Sequence, residues 1–162
     1  MKKLIFLLSA FAVLVSLGCE QQNQFLPEPV EDRSEEDEIT IVNYLEENNL
    51  LADAERHESG IYYIIEEEGE GSEFPTANSQ VLVKYKGYLL DGTVFDETEG
   101  EDARQFNLTN TLTGWRVGVP LVKRGGKIQL FIPSNLAYRN TPQEDIPAYS
   151  ILIFEIELVN FL

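Results

Sequence analysis

Cysteine, histidine and tryptophan each occur once in the 162 residues, as Cys19, His57 and Trp115. A single cysteine has no disulfide partner within the chain. One histidine and one cysteine are too few for a four-ligand zinc site. A Ser–His–Asp triad would have to be built on His57, yet no nucleophile-elbow sequence is present. The polar run Ala54–Gly60 around that histidine reads as a solvated loop. A glycine-rich phosphate loop is also missing. Basic residues are scarce, with 12 Lys and Arg against 28 Asp and Glu and a net charge of −16 at pH 7. Such a polyanion repels nucleic acid, because affinity there comes mainly from Lys and Arg neutralising phosphates. Nucleic-acid binding is excluded on that ground. Asp96, Glu97, Glu99, Glu101 and Asp102 crowd one stretch without EF-hand spacing, and they read as a solvated charge run. No metal or cofactor is expected.

Apolar side chains make up 43% of the residues, enough for an ordinary globular core. At the N-terminus, Lys2 and Lys3 precede the apolar run Leu4–Val15, which is followed by the small residues Ser16 and Gly18. That order describes a secretory signal peptide, and the run is shorter than the roughly 20 residues a transmembrane helix needs. Cys19 follows directly, and Val15-Ser16-Leu17-Gly18-Cys19 resembles the lipobox of bacterial lipoproteins. In that motif the signal is cut before the cysteine and its thiol is acylated. Ser16 departs from it, standing where Leu is usual. The alternative is an incidental or buried thiol. Lipidation with two or more chains would hold the protein stably at a bilayer. The expected organisation is a signal peptide over residues 1–18, a flexible tether over 19–33, a helical segment over 34–58 and a folded domain over 59–162. The resemblance implies a bacterial cell envelope, and an outer-membrane anchor facing the periplasm or the cell surface is expected.

Pro27 and Pro29 within a polar stretch mark the tether. Ser34 and Asp37 have the spacing of a capping box, opening a helix over Glu35–Asn48. Ile39, Val42 and Leu45 fall on one side of it, with Ile41 and Tyr44 beside them. That face packs on the same domain, with a dimer seam as the alternative, and a monomer is expected. Ile61–Ile65 reads as a strand, and Gly69, Gly71 and Pro75 break the chain after it. Val81, Val83 and Tyr85 alternate with Lys84 and Lys86. Ile128, Leu130 and Ile132 alternate with Lys127, Gln129 and Phe131. Leu152, Phe154, Ile156 and Leu158 alternate with Glu155 and Glu157. These patterns predict an antiparallel sheet with one buried face. Asp91-Gly92 predicts a tight hairpin turn with φ > 0 at both positions. One short helix interrupts the strands, capped by Thr113, with Trp115 in its first turn and Pro120 opposing its continuation. The fold class is therefore α+β, a curved antiparallel sheet over one short helix.

Aromatic residues gather around that helix. Tyr85 and Phe154 point inward from their strands, Phe95 follows the hairpin, Phe106 precedes the helix and Tyr138 ends a strand. Periodicity alone does not separate such a group from an aromatic core. The order of short words is more specific. Val81-Leu82-Val83-Lys84-Tyr85-Lys86-Gly87-Tyr88-Leu89-Leu90-Asp91-Gly92-Thr93-Val94-Phe95-Asp96 opens the series. Phe106-Asn107-Leu108, Gly114-Trp115, Gly125-Gly126-Lys127, Ile132-Pro133 and Leu136-Ala137-Tyr138 follow. Ile146-Pro147 and Leu152-Ile153-Phe154-Glu155-Ile156-Glu157-Leu158 close it. This series resembles the FKBP-type peptidyl-prolyl cis-trans isomerases over about half the chain. Ser59-Gly60-Ile61-Tyr62-Tyr63 resembles the lead-in strand.

The resemblance implies an isomerase of X–Pro bonds that assists the folding of exported proteins without a cofactor. Its pocket would have a floor at Trp115 and walls at Tyr85, Phe95, Phe106 and Phe154. The Leu112 N–H would meet a substrate carbonyl, and Asp96 and Tyr138 would supply polar contacts at the rim. Implied partners are proline-containing polypeptides, with the family's macrolides as further ligands and the membrane reached through lipid on Cys19. The rival reading is a non-catalytic proline-binding module or scaffold. Departures from the family lie at the rim. Arg139 stands where Gly is usual, Arg104 where an aromatic is often found, and the loop Arg139–Asp145 is short. Arg139 is expected either to place a cation beside the substrate groove or to face water or pair with Glu144 or Asp145.

Overall fold

A computed structural model describes residues 31–100 and 102–162. The expected signal peptide, Cys19 and most of the tether lie outside the described residues. Helix α1 (Ser34–Glu47) is followed by strands β1 (Glu55–Arg56), β2 (Tyr62–Glu67), β3 (Gln80–Leu89), β4 (Val94–Glu97) and β5 (Arg104–Asn107). Helix α2 (Thr113–Gly118), β6 (Lys127–Ile132) and β7 (Leu152–Phe161) complete the order. Short 3-10 turns lie at Leu108–Asn110, Val119–Leu121 and Ser134–Leu136. The seven strands form one sheet in the order β1-β2-β6-β7-β3-β4, with β5 also on β3. Every pairing is antiparallel.

The free edge of β3 is divided between two partners. β5 pairs with Gln80–Val83, and β4 pairs with Lys86–Tyr88. At the gap, Thr98 serves the backbone of Tyr85. The Tyr85 N–H donates to Thr98 Oγ1 at 3.1 Å, and the Thr98 N–H donates to the Tyr85 carbonyl at 2.9 Å. The sheet can therefore open around Tyr85 without leaving its buried backbone groups unpaired.

On the inner face, the alternating residues of β3, β6 and β7 meet Trp115, Val119 and Val122 in one core. This is the period-two set that the strand geometry requires. Gly114 lets α2 lie close to β6, because a Cβ there would fall 2.5 Å from Ile132 Cγ2. The outer face is covered too. Ile41 and Leu45 of α1 pack with Tyr62, Phe131, Ile151 and Ile153. β6 and β7 are consequently buried on both faces, where the alternation predicted one, because α1 crosses the sheet behind them. Phe131 and Ile153, the apolar residues on the supposedly wet side, are what it covers.

The buried stripe of α1 is Asp37, Ile41 and Leu45, while Ile39 is 57% exposed. Two positions along a helix turn the side chain by about 200°, so Ile39 and Ile41 cannot share a face. The expected capping box is absent. Arg33 is the N-cap residue without a side-chain cap, and Asp37 accepts hydrogen bonds from the Ser134 N–H at 2.8 Å and the Ser134 hydroxyl at 2.6 Å. Two donors in a buried setting hold the carboxylate more firmly than a solvated backbone N–H would. Thr113 does not cap α2 either, since Leu112 takes that place and Thr113 Oγ1 accepts from Arg116 Nη2 at 2.9 Å. Pro120 is accommodated in a 3-10 turn that prolongs the helix. In the β3–β4 hairpin only Gly92 has positive φ, because the Asp91 carboxylate takes the Thr93 N–H at 2.9 Å and the loop is wider than two residues.

Truncating Phe131→Ala should open a cavity between α1 and the sheet and cost about 3–5 kcal/mol. Urea denaturation followed by circular dichroism measures it, and a loss below about 1 kcal/mol would show that α1 contributes little to the core.

Candidate active site: an aromatic basin with a polar rim

Trp115 sits in the first turn of α2 and is 4% exposed. Three rings stand edge-on around it. Tyr85 of β3 lies 5.3 Å away at 83°, Phe106 of β5 5.4 Å away at 73°, and Phe154 of β7 5.2 Å away at 85°. Phe95 of β4 joins at 5.5 Å and 81° to Phe154. These edge-to-face contacts set the positive rim of one ring against the negative face of another. Gly87 permits the corner, because a Cβ on it would lie 2.6 Å from Phe95 Cε2 and 2.8 Å from Phe154 Cε1. A lone glycine within a strand pattern was the available signal for such an approach.

The rings line a cavity of about 520 Å³. All eight predicted pocket residues, Tyr85, Phe95, Asp96, Phe106, Leu112, Trp115, Tyr138 and Phe154, border it. The sequence reading did not single out Asn110, Thr111, Gln143 and Ile146, which border it as well. Trp115 Nε1 is buried with no partner among the described residues.

One wall is polar and tightly bonded. The Tyr85 hydroxyl donates to Asp96, and Arg104 Nη1 donates to Asp96 Oδ1 at 3.1 Å and to the Tyr85 hydroxyl oxygen at 2.6 Å. Arg104 Nη2 reaches the Glu97 carbonyl at 3.1 Å, and the guanidinium carbon stands 5.5 Å from the Tyr85 ring centre. Arg104 therefore completes a Tyr–Asp–Arg cluster and leaves no gap where an aromatic was expected. Burial, reinforced by the Asp96 carboxylate, pushes the Tyr85 phenol well above its ordinary value, so it stays a donor at neutral pH. Hydrogen bonding to Asp96, together with the charge of that carboxylate, raises Arg104 above its ordinary value, so it remains a cation.

The opposite wall offers free groups. Leu112 has φ −55° and ψ 149°, and its carbonyl accepts from the N–H groups of Trp115 and Arg116, each at 3.1 Å. Its own N–H meets no acceptor among the described residues. Tyr138 does not end a strand, contrary to expectation. It follows the 3-10 turn Ser134–Leu136, is 36% exposed, and its neighbours Ala137 and Arg139 donate backbone bonds to the Ser134 carbonyl at 3.1 and 3.0 Å.

Arg139 has φ 57°, the left-handed conformation for which glycine is suited. Its side chain does not border the cavity. Nε instead donates to the Asn135 carbonyl at 3.1 Å, and among the described residues it pairs with neither Glu144 nor Asp145. The charged residues at that end of the cavity are Glu144 and Asp145 themselves. His57 lies apart from the site and is half-buried, its Nδ1 accepting from the Ser59 N–H at 3.1 Å, so it is less solvated than its loop sequence suggests.

Residues 71–159 match the family described as FKBP-type peptidyl-prolyl cis-trans isomerase. The chain is 40% identical over 119 residues to an FKBP-type peptidyl-prolyl cis-trans isomerase FkpA of Buchnera aphidicola subsp. Schizaphis graminum. That alignment covers 72% of this chain and 47% of the relative, so the chain spans less than half the relative's length. Among solved structures, FkpA from Escherichia coli aligns with a TM-score of 0.69 and 33% identity, covering 82% of this chain and 62% of that one. A peptidyl-prolyl cis-trans isomerase of Pseudomonas syringae pv. tomato aligns with a TM-score of 0.67 and 28% identity, covering 81% and 97%. Sheet, basin and sequence agree, and the chain belongs to the family of FKBP-type peptidyl-prolyl cis-trans isomerases.

Proposed function

We propose that this chain catalyses cis–trans exchange at X–Pro bonds of exported polypeptides and so assists their folding. The observation that carries the reading is the aromatic basin around Trp115, with an unpaired Leu112 N–H at its wall. Rotation about the bond is slow because amide resonance must be lost, with a barrier near ~20 kcal/mol for an ordinary peptide bond. In the twisted transition state, carbonyl and nitrogen are no longer conjugated. An apolar cavity stabilises that state relative to the planar, better-solvated ground state. The proline ring rests on Trp115 between Tyr85, Phe106 and Phe154. The Leu112 N–H and the Tyr138 hydroxyl hold the flanking carbonyls, so that binding energy is spent on one side of the rotating bond. Asp96, pinned by Tyr85 and Arg104, orders the rim. No nucleophile, metal or cofactor is needed, and the family's macrolides would enter the same basin. The reading extends to location, in a bacterial cell envelope with a lipid on Cys19 and an outer-membrane anchor.

Exchange in a proline tetrapeptide, followed by NMR without a coupling protease, tests the activity. Tyr138→Phe should remain folded and lose activity moderately, by about three- to tenfold, as expected for one orienting hydrogen bond. Trp115→Ala removes the floor and should abolish most turnover while costing about 3–5 kcal/mol of stability. Peptide binding without exchange in the wild type would favour a non-catalytic module, and full turnover in folded Trp115→Ala would place the proline elsewhere.

Rate should be nearly flat between about pH 6 and 8, since carboxylates and phenols ionise outside that window. A steep change of rate within that window would contradict the mechanism. Stability behaves differently at high pH. The Tyr85 phenol is raised from its ordinary value of 10.0 in the folded chain. The unfolded state therefore loses its proton first, and stability contributed by neutral Tyr85 should fall as pH rises beyond about 10. Denaturation midpoints for wild type and Tyr85→Phe should converge there.

For the anchor, metabolic labelling with a fatty-acid analogue should mark the wild type and not Cys19→Ala. Equal labelling of both would refute acylation at this residue.

A further inference from the structure

Asp37 is a buried acidic group that the pocket chemistry does not use. It is 3% exposed in the first turn of α1, and its Oδ2 accepts both the N–H and the hydroxyl of Ser134. The Ser134 carbonyl in turn accepts from the N–H groups of Ala137 and Arg139, the two neighbours of Tyr138. Beyond Tyr138, the loop that carries Glu144, Asp145 and Ile146 along the cavity is closed at its neck. There the Tyr149 N–H donates to the Arg139 carbonyl at 2.6 Å. Both neck residues hold left-handed backbone, with φ 57° at Arg139 and 60° at Tyr149. Residues other than glycine keep that conformation only where their surroundings enforce it. The start of α1 supplies those surroundings at both sides of the neck. Asp37 holds Ser134, and the Arg33 guanidinium lies 5.2 Å from the Tyr149 ring centre.

We propose that Asp37, assisted by Arg33, is a positioning residue for the active site. The first turn of α1 clamps the neck of the 139–149 loop and thereby sets the place of Tyr138. The helix preceding the family-matched region is then part of the catalytic architecture and more than a cover for the sheet. The role assigned to Tyr138 rests on the isomerase reading above; the clamp itself does not. A misplacement of a substrate-orienting group by a fraction of an ångström is enough to slow a reaction severalfold.

The test separates positioning from helix docking by comparing Asp37→Ala with Leu45→Ala, which loosens the same helix without touching Ser134. Under conditions where both are fully folded by circular dichroism, Asp37→Ala should lower kcat/KM by about tenfold and Leu45→Ala by less than about twofold. Amide hydrogen exchange at Ala137 and Arg139 should quicken in Asp37→Ala and not in Leu45→Ala. Asp37→Asn should restore both readouts, because a single oxygen accepts both bonds and an amide oxygen can do the same. Ser134→Ala, which removes only the hydroxyl half, should show the same changes in smaller degree and stands in if Asp37→Ala does not fold. Equal losses in the alanine variants of Asp37 and Leu45, or unchanged exchange at the two amides in Ser134→Ala, would overturn the clamp. If the wild type shows no isomerase activity, the functional reading fails, and the exchange comparison still decides the clamp.

Discussion

Burial of the β6–β7 pair on both faces is the constraint from which the rest of this molecule follows. Their inner side chains, from Ile128 to Ile132 and from Leu152 to Leu158, carry α2 and with it Trp115. Their outer side chains Phe131 and Ile153, with Ile151 just before β7, carry α1. Each layer restrains the other, because a shift of either strand would expose apolar surface on two sides at once. The basin is therefore built against the doubly buried part of the sheet. β4 and the 139–149 loop sit at its periphery.

Electrostatics follow the same division. The chain carries a net charge of −16, yet the one carboxylate on the bonded wall of the basin, Asp96, is matched by Arg104 and a neutral phenol. That arrangement keeps a charge-ordered rim next to an apolar floor without a full unpaired charge on that wall. The acidic excess is carried elsewhere, largely on exposed positions where water screens it. The proposed isomerisation moves no proton and has no use for titrating groups, and His57 does not border the cavity.

Strand periodicity located β3, β6 and β7 and their inward faces, because the pleat forces side chains to alternate whatever the tertiary context. The same rule misjudged Phe131 and Ile153, whose burial depends on a helix almost a hundred residues away in the chain. Local caps failed for a related reason. Asp37 and Thr113 have the chemistry of caps, but each bonds another partner, the distant Ser134 in one case and Arg116, one helical turn on, in the other. Arg104 and Arg139 were both marked as departures. One completes the bonded wall and the other turns away from the cavity, and only the path of the backbone distinguishes them.

By itself, the sequence determined the fold class, the places of β2, β3, β6 and β7 and eight of the residues that border the basin, since these rest on alternation and on an ordered series of words. Its single histidine and single cysteine are too few for a four-ligand zinc site. The tertiary structure decided which face α1 covers, how Asp96 is neutralised, and what holds the neck of the loop beside Tyr138. Those are contacts between residues far apart in the chain. Their geometry is set by how the whole core packs, which no local pattern encodes.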